Sequence, residues 1–122
     1  MIDFKNGTFF KLKESGEYAA MVSELLIPGE RVLNAFRAMR DGVVFTDKRV
    51  IAVNVQGITG KKRDFTSLPY SKIVAFSVET AGTLDLDAEL ELYFSGLGKV
   101  KFDFTGKTNI VEIAKVIGAF VL

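Results

Sequence analysis

The stretch LDLDAELELYFSGLGKVKFDF, residues 84–104, alternates apolar and polar side chains in two runs with a pair of glycines between them. In the first run Leu84, Leu86, Ala88, Leu90, Leu92 and Phe94 share one parity, and Asp85, Asp87, Glu89, Glu91 and Tyr93 share the other. In the second, Val100, Phe102 and Phe104 oppose Lys99, Lys101 and Asp103. Successive side chains on a strand point to opposite faces, so each run reads as a strand with one buried face. A three-residue loop, Gly96-Leu97-Gly98, with Gly98 left-handed, sets Phe94 opposite Val100 and Leu92 opposite Phe102. A register one residue off would face leucines with lysines. An antiparallel hairpin is therefore the anchor of the fold.

On its N-terminal side the chain reads as further strands. In KIVAFSVET, residues 72–80, Val74, Phe76 and Val78 alternate with Ala75, Ser77 and Glu79. RDFTSLPY is a short strand stopped at Pro69, which cannot donate to a sheet ladder, and GITGKK before it is a glycine-punctuated loop. VVFT and RVIAVNV are rich in β-branched residues and flank the polar break Asp47-Lys48-Arg49. ERVLNAFRAMRDG, residues 30–42, suits helix and strand alike by periodicity, although Asp41-Gly42 is a tight-turn dipeptide and tilts it towards strand. From Ser15, a candidate N-cap, Tyr18, Met21, Val22 and Leu25 follow helical spacing until Pro28-Gly29. The polar face of that helix carries Glu17 and Glu24 and no cation, the wrong sign for an acidic bilayer, so it is expected to pack on the domain. Residues 1–14 show no clean period, yet Phe4, Phe9 and Phe10 are too apolar for a simple tail. The chain closes in a helix at about 109–121, with Asn109 and Glu112 in the N-cap and N3 positions, Thr108 as the alternative cap, and Ile110, Ile113, Ala114, Ile117 and Phe120 as its core stripe.

Composition narrows the chemistry. The 122 residues suit one domain, and 16 Lys+Arg against 15 Asp+Glu give no net field for a polyanion such as DNA. There is no cysteine for disulfides or thiolate zinc, and no histidine, the usual acid–base near neutral pH and the commonest metal ligand. No apolar run approaches the ~20 residues that span a bilayer, and the N-terminus lacks a signal pattern, so a soluble cytoplasmic domain is expected. No cofactor, metal or nucleic acid is expected.

Three polar features could carry function. Thr46 and Asp47 are suited to closing a hairpin turn by side-chain to backbone hydrogen bonds, and Arg49 can reach back to a carbonyl or carboxylate; this cluster reads as structural. Lys61, Lys62 and Arg63 form the chain's basic run and could hold a phosphate or acidic headgroup, unless Asp64 beside them acts as counter-charge. Asp85, Asp87, Glu89 and Glu91 stand about 6.5–7 Å apart along one strand face. They read as cross-strand partners of Lys99 and Lys101, because adjacent exposed carboxylates lack the asymmetry that acid–base catalysis needs. No enzyme activity is expected.

FTDKRVI (45–51), LPYSKIVAFSVETAG (68–82), DLDAELELYFSG (85–96) and TNIVEIAKVIGAFVL (108–122), in that order and spacing, resemble the bacterial pleckstrin-homology-like family over residues 30–122. The resemblance implies a mainly β (α+β) fold: a seven-stranded antiparallel barrel of two sheets at 29–122, its open corner capped by the C-terminal helix. Residues 1–28 form an N-terminal extension with an amphipathic helix. It makes ERVLNAFRAMR the first strand. It also implies no catalysis, and assembly into ring-shaped homo-oligomers. In the related eukaryotic domains the ligand loop lies between the first two strands; here only Arg40-Asp41-Gly42 remains of it, with no lysine cluster. Apolar surface in excess of a monomer's needs marks an interface, with Ile73, Ala75, Val116 and Val121 beside the acidic Asp85, Asp87 and Glu89 as its expected residues. The expected function is a cyclic homo-oligomer presenting a protein-binding surface, the alternative a peripheral membrane module acting through Lys61, Lys62 and Arg63.

Overall fold

The structure, a computed structural model, describes residues 1–4, 9–82, 87–105 and 108–122, with Phe9 and Phe10 described by their backbone. In chain order its elements are β1 (Phe9–Glu14), α1 (Glu17–Val22), β2 (Val32–Arg37), β3 (Asp41–Thr46), β4 (Arg49–Gln56), β5 (Lys62–Pro69), β6 (Ile73–Glu79), β7 (Ala88–Phe94), β8 (Gly98–Phe104) and α2 (Ile110–Val121). Single 3₁₀ turns, Ser23–Leu25 and Tyr70–Lys72, follow α1 and join β5 to β6.

The described residues contain eight strands rather than seven, hydrogen-bonded in the order β5-β4-β3-β2-β1-β8-β7-β6. The added strand is β1, antiparallel to β2 and parallel to β8, so it joins the two halves of the sheet. Its alternation is broken at Lys11, which takes a positive φ of 52°, and its register on β8 shifts between Phe9 and Leu12. That irregularity hid the strand from a period-2 reading. The sheet is not closed. Its ends, β5 and β6, are bridged by the 3₁₀ turn at Tyr70, and α2 packs on that turn and on β6 and β7. Pro69 thus falls at the end of an edge strand, where its missing N–H costs nothing.

Two apolar clusters lie on opposite faces of the first half-sheet. The main core joins Phe36, Phe45, Phe102 and Phe104 with Leu90, Leu92, Ile113 and Ile117. Phe36 meets Phe104 edge-on, at 4.8 Å between centroids. The second packs Tyr18 and Val22 of α1 against Ala35, Val44, Ile51 and Val53. Residues 42–46 and 50–53 are therefore buried on both faces, which is why they read as unbroken apolar runs.

Several local expectations shift. Asp41-Gly42 is not the β2–β3 turn; both lie in β3, and the turn is Ala38–Arg40, closed by Ala38 N–H on the Asp41 carbonyl at 2.8 Å. Gly42 serves packing instead, since a Cβ there would sit 2.2 Å from the Tyr18 ring. The β7–β8 loop is Ser95–Leu97, and Phe94 pairs with Gly98, Leu92 with Val100 and Leu90 with Phe102. The register is two residues from the one expected, a shift that keeps every side chain on its face. At the start of β6 an irregularity between Ile73 and Ala75 turns Ile73 into the core and leaves Val74 64% exposed. Ser15 does not cap α1, whose N-cap is Gly16, although its hydroxyl accepts from Glu17 N–H at 3.3 Å. Asn109 does cap α2, its side chain accepting from Glu112 N–H at 3.2 Å.

Candidate functional site

Thr46 to Arg49 forms the β3–β4 turn. The Thr46 hydroxyl accepts from Lys48 N–H and Arg49 N–H, both at 3.0 Å, and donates to Glu30 at 2.7 Å. Asp47 accepts from Arg31 N–H at 3.0 Å. Arg49 reaches back as its sequence suggested and grips Glu30 through Nε and Nη2, both at 2.9 Å. It also donates to the Leu25 carbonyl at 2.8 Å and to Ser67 Oγ at 2.9 Å. The Tyr70 hydroxyl donates to the Thr46 carbonyl at 2.7 Å, and burial pushes its pKa up. This network ties the segment after α1 to β3, β4 and β5. Glu30 escaped the sequence reading, because one acidic residue after Pro28-Gly29 carries no periodic signal and its partner lies 19 residues away.

Lys61, Lys62 and Arg63 are all exposed, at the end of the β4–β5 loop and the start of β5. Asp64 is not their counter-charge. It pairs with the Met1 amino group at 2.8 Å and accepts from Thr66 Oγ1 at 2.7 Å, and these hydrogen bonds lower its pKa. Ile2 N–H in turn bonds Thr66 Oγ1 at 3.1 Å, so the N-terminal residues lie along β5, with Phe4 in the main core. An open cleft of about 250 Å³ lies between Met1–Phe4 and Leu97.

On the outer face of β7, Glu89 pairs with Lys101 at 3.2 Å and Glu91 with Lys99 at 3.7 Å, the cross-strand pairing expected. Asp85 lies outside the described residues, and Asp87 is exposed. A row the sequence did not reveal runs across three strands: Glu79 stands opposite Glu89, and Glu89 opposite Asp103. Asp103 is partly buried, with Oδ1 lacking any hydrogen-bond partner; burial and then the Glu89 charge raise its pKa. Among the described residues no cluster of three or more acidic side chains is placed to hold a metal ion.

Of the expected interface residues, Ile73 is corrected to the core, where it is 8% exposed. Val121 is half-buried against that core, Val116 is half-buried, and Ala75 is exposed. Val74 on β6, Val111 and Phe120 on α2, and Leu122 just after it are the large apolar side chains that remain exposed there. No helix among the described residues is long and apolar enough to cross a membrane.

An open, mainly antiparallel sheet folded around one aromatic core, with a C-terminal helix packed on one end strand and on the turn that joins it to the other, defines a pleckstrin-homology-like domain. The chain belongs to the bacterial PH domain family, whose model matches residues 3–121. It is similar to a crystallised DUF1696 family protein with a pleckstrin-homology domain from Shewanella loihica PV-4: 39% identity, TM-score 0.76, covering 95% of this chain and 100% of that one. A pleckstrin homology domain from Shewanella amazonensis SB2B is 42% identical at TM-score 0.65, covering 96% and 93%. The uncharacterized protein YjqA of Bacillus subtilis strain 168 is 50% identical over 100 residues, 80% of each chain.

Proposed function

We propose that this protein is a non-catalytic PH-like assembly module that closes into a cyclic homo-oligomer and presents a protein-binding surface. The reading rests on one observation: Val74 on β6, an end strand of the sheet among the described residues, and Val111, Phe120 and Leu122 along and just after α2 are exposed. An edge strand with exposed apolar side chains is a template for pairing with another chain. Native mass spectrometry at low micromolar concentration, with light scattering after size exclusion, tests it. One closed oligomer is the expected result, and a clean monomer overturns the reading.

A second reading, a peripheral module for acidic lipid, is favoured by Lys61, Lys62 and Arg63 being exposed while Asp64 is engaged elsewhere. It predicts co-sedimentation with acidic liposomes at low salt that is lost in a Lys61→Ala/Lys62→Ala/Arg63→Ala variant.

A further inference from the structure

Residues 1–4 lie across the fold as a strap between β5 and the β7–β8 loop. Ile2 N–H donates to Thr66 Oγ1 on β5, and the Met1 amino group pairs with Asp64. Phe4 is buried in the main core, on which Ile2 and Leu97 of the β7–β8 loop also pack, half-buried. Met1 and Asp3 are exposed while Ile2 and Phe4 turn inward, the alternation of an extended segment. The strap uses its place sparingly. β5 is an end strand of the sheet, and no strand pairing joins residues 1–4 to it among the described residues. An open cleft of about 250 Å³ remains between the strap and Leu97. What holds the strap is also modest. The Met1 side of its ion pair is 74% exposed, so that pair contributes little. Burying Phe4 favours the docked state by about tenfold to a hundredfold, and the single Ile2 bond by about tenfold at most. Fixing each backbone residue opposes docking by about tenfold. Docked and released straps are therefore closely balanced.

We propose that residues 1–4 are an autoinhibitory occupant of a peptide groove between β5 and the β7–β8 loop, displaced by an extended segment of another protein that carries an aliphatic and an aromatic side chain two residues apart. The chain's own Ile2 and Phe4 define that chemistry. The aromatic side chain takes the Phe4 position in the core, and the aliphatic one lines the cleft with Leu97. An incoming segment also gains what the strap leaves unused, backbone pairing along β5 and the space beside Leu97. Because the strap belongs to the same chain it competes at a high local concentration, so weakly matching segments are turned away. The proposal rests on the protein-binding part of the function proposed above, to which it gives a site and a partner class, and it does not depend on ring closure.

The probe is the synthetic peptide MIDFKNGT, residues 1–8, labelled with fluorescein at its C-terminal end and followed by anisotropy against the full chain. Phe4→Ala in the chain should bind it about tenfold or more tightly than the native chain does, because the strap no longer competes through its ring. The same peptide carrying Phe4→Ala should bind neither. Should the Phe4→Ala chain fail to fold by circular dichroism, Phe4→Leu supplies the comparison. Because the chain has no cysteine, Phe4→Cys places a single thiol on the strap, and saturating peptide should speed its labelling by driving the strap out. Absence of binding to every folded chain overturns the groove. Equal affinity for native and substituted chains, or binding that leaves the labelling of Phe4→Cys unchanged, overturns the autoinhibition. If unlabelled native chain at rising concentration frees the peptide from the Phe4→Ala chain, the strap of a second copy is the occupant and the assignment to another protein falls. None of these results bears on ring closure, which native mass spectrometry reads separately.

Discussion

Arg49 and Glu30 set the energetics at the scale of single residues. The Glu30 side chain is fully buried, and its carboxylate accepts from Arg49, from Thr46 and from Ile27 N–H at 3.1 Å. Burial alone would raise its pKa, but the hydrogen bonds from Arg49 and Thr46 prevail and hold it at about 2, below its ordinary 4.5. Removing Arg49 leaves that carboxylate buried and unpaired, so Arg49→Met should cost about 3–5 kcal/mol in urea denaturation. Adding Glu30→Gln should return part of the loss. A depressed carboxyl pKa gives stability that is complete above the unfolded value and is lost as pH falls towards the folded one. The melting temperature of the native chain should therefore fall more steeply from pH 4.5 to 2 than that of Glu30→Gln; parallel curves would refute the pairing. Asp103 has the opposite sign. Its raised pKa means that its charge destabilises the fold at neutral pH, an effect relieved on acidification. Asp103→Asn should stabilise by about 0.5–1 kcal/mol at pH 7, with the gain shrinking as the pH drops. A loss of stability instead would show that the carboxylate has a partner it needs.

Between elements, the docking of α1 on the sheet turns on one contact. A methyl at Gly42 would fall 2.2 Å from the Tyr18 ring, and Tyr18 is buried in the second apolar cluster. Gly42→Ala should cost about 1–3 kcal/mol in thermal or urea unfolding. On a Tyr18→Ala background the same change should cost far less, and a double-mutant cycle without that coupling would refute the contact. This contact also shows where sequence reading stops. Asp41-Gly42 looks like a turn from local chemistry, but the glycine answers to a ring 24 residues earlier in the chain. The regular alternation of β7 and β8, and the Asn109 cap of α2, were legible because each depends on neighbours in sequence. β1 and the parity at Ile73 were not, since an irregular residue resets the period and only the partner strand shows where. The β7–β8 register was misplaced by two because both Gly96 and Gly98 take positive φ, and either could have opened the loop.

For the whole molecule the sequence yielded the class and the basic run, but not which apolar residues reach solvent. Exposure on β6 and α2 is decided by how α2 lies on β6, β7 and the turn at Tyr70, a long-range matter. Ile73 looked like surface and is core, whereas Val74 looked like core and is surface. That exchange sharpens the assembly proposal, because it puts an exposed valine on an unpaired strand edge near the end of the chain's most apolar helix. Leu122, 97% exposed at the end of that helix, and Val74, 64% exposed, contribute little to the isolated fold. A lysine at either site is the device by which edge strands avoid unwanted pairing. Val74→Lys/Leu122→Lys should therefore give a monomer of unchanged melting behaviour if these residues carry the joint between subunits. Head-to-tail closure places the same joint between every pair of neighbours, so one disabled surface breaks all of them and leaves no stable dimer. An apolar joint should also persist in about 0.5 M salt, where screening shortens electrostatic reach to a few ångströms. If the native assembly instead dissolves at that salt while Val74→Lys/Leu122→Lys stays assembled, the acidic face of β7 carries the contact and the apolar edge does not.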